Sequence, residues 1–253
     1  MNVIRALHAA LAAGTLVLAS MVGAVQAAET LPPVESFFRD PDITEVELSP
    51  SGKRIAVTTS AGSKRIALSV VELATGRSTP VANYDDADVG EFEWVNDERL
   101  VYSLEDRRNA IGQQRFLMAD GSDPRQLIAL QRDIVFVRRV GREPLSVFHE
   151  LLSVPSTGGN EVVVGRWRYD GRYNPVEVTP MLLDTSTQRI RSLDIGGLGD
   201  VLGWLFDRKG EPRLATTLSG GTMQYHWRTP GETTWKKIAE FPRLDAPFTP
   251  RFV

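Results

Sequence analysis

Any chemistry in this chain would have to come from hydroxyls, carboxylates and a few imidazoles, because it contains no cysteine. Disulfides, thiol catalysis and Cys-ligated zinc are thereby excluded. Past the first 27 residues the imidazoles are His149 and His226. A serine nucleophile on a strand-to-helix elbow would show G-x-S-x-G, and no such motif occurs. Gly62-Ser63 lies in a polar stretch followed by Lys64-Arg65, and Ser219-Gly220-Gly221 lacks the upstream glycine. A triad is defined in space rather than along the chain, but local signals assemble no set of serine, base and acid here. His149-Glu150 and His226 sit in strand-like runs and read as polar strand faces. Asp85-Asp86-Ala87-Asp88 could hold a cation, although a solvated turn is the simpler reading. There is no H-E-x-x-H, calcium loop or P-loop. No catalytic, metal, cofactor-binding or substrate-binding residue is assigned, and no cofactor is expected.

Composition bounds the rest. The chain has 253 residues, 42% of them hydrophobic and 24% charged, as in an ordinary globular protein with a sizeable core. A net charge of −3 gives no basic excess for nucleic acid. The pairs Arg107-Arg108 and Arg138-Arg139 are short and isolated, and read as solvated surface.

The N-terminus carries an address. Arg5 precedes an uncharged run from Ala9 to Val25, rich in Ala, Leu, Val and Gly. Val25-Gln26-Ala27 then has the small-x-small form of a signal-peptidase site. Residues 1–27 are expected to be a cleaved signal peptide, the alternative being a membrane anchor. Export to the periplasm, or secretion, follows. No later segment approaches about 18 uninterrupted apolar residues, so no membrane span is expected after cleavage.

Residues 28–44 read as a linker with a short helix. Pro32-Pro33 limits its start, Val34–Arg39 can form a single turn, and Pro41 stops it. Phe37 and Phe38 are expected to anchor that turn.

The segment 45–253 is expected to be a repeat of strands. Val46 and Leu48 alternate with Glu45 and Glu47, the period of a half-buried strand. Pro50-Ser51-Gly52-Lys53 turns the chain, Ile55 and Val57 resume the alternation, and Ile66, Leu68 and Val70 form a third strand. Thr75-Gly76 is a turn and Ser78–Ala82 a short fourth strand. This is one four-stranded meander in about 40 residues, the size of a propeller blade.

The pattern recurs. Phe92 and Trp94 alternate with Glu91 and Glu93, Asn96-Asp97-Glu98 turns, Leu100–Ser103 and Gln114–Ala119 are strands, and Asp120-Gly121 lies 45 positions after Thr75-Gly76. The third repeat places strands at Ile134–Val137, Leu145–Val154, Glu161–Tyr169 and Val176–Asp184, with a turn at Thr185-Ser186-Thr187. About 20 extra residues fall in or before it. The fourth begins with Leu202, Trp204 and Phe206 and continues through Arg213–Leu218 and Met223–Arg228. Thr229-Pro230-Gly231-Glu232 is its closing turn, and Trp235–Ile238 its outer strand. Phe92, Trp94 and Trp204 are expected between blades. The fold class is all-β: a partial propeller of about four four-stranded antiparallel blades, with open edges through which copies could self-associate.

Two stretches carry a family resemblance. Pro32–Pro41 followed by Leu48–Ala56 resembles the mature N-terminus of bacterial prolyl oligopeptidase-family serine peptidases, nearest the acylaminoacyl and dipeptidyl peptidase branch. Trp94-Val95-Asn96-Asp97-Glu98-Arg99-Leu100-Val101-Tyr102 is similar to that group's second blade. The resemblance implies a seven- or eight-bladed propeller gating an α/β-hydrolase domain that carries the Ser-Asp-His triad. No position here matches that triad, or the paired glutamates that hold a substrate amine in dipeptidyl peptidases. The expectation is therefore the non-catalytic, substrate-gating propeller of an exported peptidase, a truncated product or fragment that meets peptide substrate only when joined to a hydrolase domain. The alternatives are a standalone periplasmic binding propeller resembling TolB, and a small hydrolase with its own site.

Overall fold

The computed structural model describes residues 41–60, 64–106, 117–119, 125–129, 143–251 and 253. The chain divides into Met1–Arg39 and Asp40–Val253, and the described residues all belong to the second unit. The proposed signal peptide, the helical turn with Phe37 and Phe38, the polar Gly62-Ser63 stretch, the Asp120-Gly121 turn, both arginine pairs and Ile134–Val137 lie outside them.

Every regular element described is a strand. The first sheet runs β1 (Ile43–Leu48), β2 (Arg54–Thr59), β3 (Ala67–Glu72) and β4 (Ser78–Ala82), in that spatial order. The second runs β5 (Asp88–Asn96), β6 (Arg99–Glu105), β7 (Leu117–Ala119) and β8 (Arg125–Ile128). The third contains β9 (His149–Ser153), β10 (Glu161–Tyr169), β11 (Pro175–Asp184) and β12 (Ile190–Ser192). The fourth contains β13 (Val201–Phe206), β14 (Pro212–Ser219), β15 (Thr222–Trp227) and β16 (Lys236–Pro242). Each is an antiparallel meander of four strands, and several of the connections are short turns. The first turn shows why. Gly52 takes φ +71°, a conformation that a Cβ disfavours, and its N–H donates to the Ser49 carbonyl at 2.8 Å.

Register decides which side chains share a face. Glu47 pairs with Ala56, which pairs with Val70; Thr58 pairs with Leu68, which pairs with Ala82. That face of the first sheet packs on Val89, Phe92, Trp94, Leu100 and Tyr102 of the second. Val95 and Val101, on the opposite face of the second sheet, pack with Val162, Val164 and Leu183 of the third. Val178 of the third packs with Val201, Trp204 and Ala215 of the fourth. The sheets thus stack face to face in chain order, as consecutive propeller blades do. A strand covered on both faces loses its polar alternation, which explains the run Val162-Val163-Val164, each fully buried. Gly165 ends the run where a Cβ would meet Val178 Cγ2 at 2.5 Å and Leu152 Cδ1 at 2.8 Å. On the far face of the first blade the apolar Val46 and Leu48 are 53% and 56% exposed.

The fourth strands of the second and third blades, Arg125–Ile128 and Ile190–Ser192, are absent from the sequence reading, and the third blade begins at His149 and closes after the Thr185 turn. Two boundaries also shift. Of Leu145–Val154 only His149–Ser153 is a strand. Leu145 makes a lone parallel bridge to Ile128, and the chain turns where the His149 N–H donates to the Ser146 carbonyl. The outer strand of the fourth blade excludes Trp235 and runs on to Pro242. Trp235 turns inward, its Nε1 donating to the Ile195 carbonyl at 2.7 Å, its ring 5.6 Å from Trp204 and beneath the Arg228 guanidinium.

Candidate functional site: the acidic first strands

The first strand of every blade lies at the same edge of its sheet. These strands converge: carboxylates of β1 and β5 repel one another, one cavity joins β5 to β9, and β9 touches β13. In a propeller this edge lines the central channel. What the strands bring there is acid. β1 presents Glu45 and Glu47, β5 presents Glu91 and Glu93, and β9 adds His149 and Glu150.

Glu47 is the most perturbed of these. It shares a face with Ala56 at the seam between blades one and two, half-buried, and its Oε2 has no hydrogen-bond partner. Its own carbonyl accepts from Trp94 Nε1 at 3.2 Å, which ties β1 to the core tryptophan of the next blade. Burial pushes the carboxyl up to about 7; the charges of Glu93 and Glu45 push the same way, and the Trp94 backbone N–H pulls back. Glu93 is also raised, first by burial and then by Glu91 and Glu45. Beside it a cavity of 150 Å³ is lined by Glu91, Glu93, Tyr102, His149, Leu151 and Leu152.

Among the described residues the imidazoles complete no catalytic set. His149 Nδ1 lies 3.1 Å from Ser146 Oγ and 2.9 Å from the Ser146 carbonyl, within its own turn. His226 Nε2 lies 3.1 Å from Thr217 Oγ1. Burial lowers the pKa of both, reinforced by Arg166 for His149 and Lys237 for His226. No carboxylate hydrogen-bonds either ring among the described residues.

The aspartate cluster splits. Asp85 and Asp86 are exposed, whereas Asp88 is buried and accepts from Arg65 at 3.0 Å and from the Ile66 N–H at 2.9 Å. Arg65 also reaches Asp106 at 2.9 Å, so this group is a structural ion-pair network between strands. No group of three or more His, Asp or Glu with metal-ligating geometry occurs among the described residues. Phe92, Trp94 and Trp204 are buried between blades, and Trp204 Nε1 donates to the Val178 carbonyl at 2.7 Å. Ser219-Gly220-Gly221 forms the β14–β15 turn, with both glycines at positive φ.

The turns at the other ends of the first strands are latched blade to blade. The Ser51 N–H donates to Asp97 Oδ1 and Arg54 to the Asp97 carbonyl, each at 2.9 Å. Asn96 repeats the contact onto the third blade, donating to the Gly159 carbonyl and to Asn160 Oδ1, again at 2.9 Å. The convergence of the glutamates is what the sequence reading missed. Its one visible signal is the recurrence of Glu-x-Glu, at Glu45/Glu47 and Glu91/Glu93, on the first strand of consecutive repeats.

Four meander sheets stacked in order make this a β-propeller protein. No protein-family model matches the chain, and no curated protein matches it. Among solved structures it is similar to a prolyl endopeptidase at 11% identity and a TM-score of 0.47, over 79% of this chain and 30% of that one. It is also similar to TolB from Acinetobacter baumannii at 15% identity and a TM-score of 0.35, over 81% of this chain and 42% of that one. A third is the β-propeller domain of the Trilobed protease from Pyrococcus furiosus, at 14% identity and a TM-score of 0.31, over 78% of this chain and 71% of that one. The chain spans under half the length of the first two. These likenesses concern the fold alone.

Proposed function

We propose that this chain is the substrate-gating propeller of an exported prolyl oligopeptidase-like serine peptidase of the acylaminoacyl or dipeptidyl peptidase kind, working in the periplasm or outside the cell. The reading rests on one observation. The described parts of the two stretches that resemble that family, Leu48–Ala56 and Trp94–Tyr102, fold into equivalent hairpins, β1–β2 and β5–β6, of adjacent blades. The latch from Ser51 and Arg54 to Asp97 joins those hairpins directly. In this role the propeller wall excludes folded protein and admits short peptides, while the nucleophile comes from a hydrolase domain beyond these residues.

The second reading is a standalone binding propeller of the TolB kind, in which the exposed Val46 and Leu48 face meets another molecule. The coding region past Val253 separates the two. A continuing frame with G-x-S-x-G supports the peptidase reading, and a long non-coding gap overturns it. Sedimentation of the purified chain then bears on the alternative: a cooperatively folding species of defined size supports a standalone propeller, and aggregation counts against it.

A further inference from the structure

Glu47 stands in the seam between two blades at the channel wall. Its Oε2 is buried and unpartnered, an arrangement that costs far more for a carboxylate than for a neutral acid. The same residue anchors the seam through the Trp94 contact to its carbonyl. The charged groups around it, among the described residues, come from three strands. Glu45 lies on β1 and Glu93 on β5, with Glu91 behind it. Arg54 lies further along the same face of β2, with its guanidinium donating to the Asp97 carbonyl. The charges acting on the Glu47 carboxyl are therefore of its own sign.

We propose that Glu47 is a proton-operated clasp: protonated, it lets β1 lie closed against β5; ionised, it parts the two strands and opens the seam between the first two blades to the channel. The proposal needs only the propeller geometry and is independent of the peptidase reading. The only chemical event is loss of the carboxyl proton to solvent.

The direction follows from linkage. The folded group ionises at about 7 against an ordinary value of 4.5. Between those values the closed seam keeps a proton that the opened seam has released, so closure weakens as pH rises through that window and levels off above it.

Amide hydrogen exchange on the whole chain, corrected for intrinsic rates, reads this opening strand by strand. Between pH 5 and pH 7.5 the opening of residues 43–48 and 88–96 should rise roughly fiftyfold, each unit of pKa difference being worth a factor of ten. Protection of β13 and β14 should hold. In Glu47→Gln the rise should vanish. In Glu93→Gln, which removes the strongest like charge, it should shrink. An unchanged seam in the wild type, an equal rise throughout the chain, or a rise that survives in Glu47→Gln overturns the proposal. Should Glu47→Gln fail to fold, a full-sized rise in Glu93→Gln overturns it instead.

Discussion

The Ser51 backbone N–H donates to the Asp97 carboxylate at 2.9 Å across 46 residues of sequence. This bond joins the first turn of one blade to the first turn of the next. The Ser51 contacts hold the Asp97 carboxyl below its usual range, with a smaller contribution from Arg54. A depressed carboxylate stabilises the fold above its unfolded pKa, and that contribution is lost as pH falls through the folded value. Asp97→Asn should therefore lower the urea midpoint at pH 7 and flatten its decline toward pH 3. An acid limb as steep as in the wild type would show that Asp97 does not hold the turn.

The seam between the third and fourth blades is held by Trp204. Its indole N–H donates to the Val178 carbonyl at 2.7 Å inside a buried cluster. Trp204→Phe keeps most of the packing and leaves that carbonyl unsatisfied, at a cost of about 1–3 kcal/mol. Trp204→Ala also opens a cavity and should cost about 3–5 kcal/mol. Urea unfolding of the two variants separates the two contributions: no loss in Trp204→Phe would mean that the hydrogen bond adds nothing, and equal losses in both would mean that the ring packing adds nothing.

Gly165 tests the closeness of packing within the third blade. A Cβ there meets Val178 and Leu152 side chains well inside contact distance, whereas one at Gly171 meets nothing within 4 Å. Gly165→Ala should destabilise by about 1–3 kcal/mol through overpacking. Gly171→Ala should be close to neutral. The reverse order would contradict the packing described.

Asp88 holds the exit of the first blade to the entry of the second. Its side chain is 6% exposed and binds both Arg65 and the Ile66 N–H. Asp88→Ala leaves a buried guanidinium with Asp106 and an amide without its acceptor, and should cost about 3 kcal/mol in urea unfolding. A loss below about 1 kcal/mol, the range of an exposed pair, would place Asp88 at the surface instead.

Much of the fold was legible from turn chemistry and period. The turns at Thr75-Gly76, Thr185–Thr187 and Thr229–Glu232 all fall between the third and fourth strands of their blades. Glu161–Tyr169 was readable as a strand because apolar β-branched residues ran between two turn signals. Trp235 misled because a tryptophan beside an alternating run looks like part of it, while its indole N–H is taken by Ile195, 40 residues away. The glutamates were legible as strand residues but not as a group. A strand pattern shows which residues alternate, not which strands meet across a seam, and Glu47 and Glu93 become neighbours only when two sheets stack. The Leu145–Val154 run concealed a turn because Leu145, Val147 and Phe148 are apolar, even though Val147 and Phe148 remain exposed.

The two family-like hairpins lie side by side, and the absence of cysteine makes that simple to measure. A Ser51→Cys/Asp97→Cys chain, treated with a short bis-maleimide under native conditions, should cross-link within one molecule in high yield. A Ser51→Cys/Asp245→Cys control should not. Failure of the Ser51/Asp97 pair to cross-link in the folded chain, or equal yields from both pairs, would contradict consecutive, latched blades.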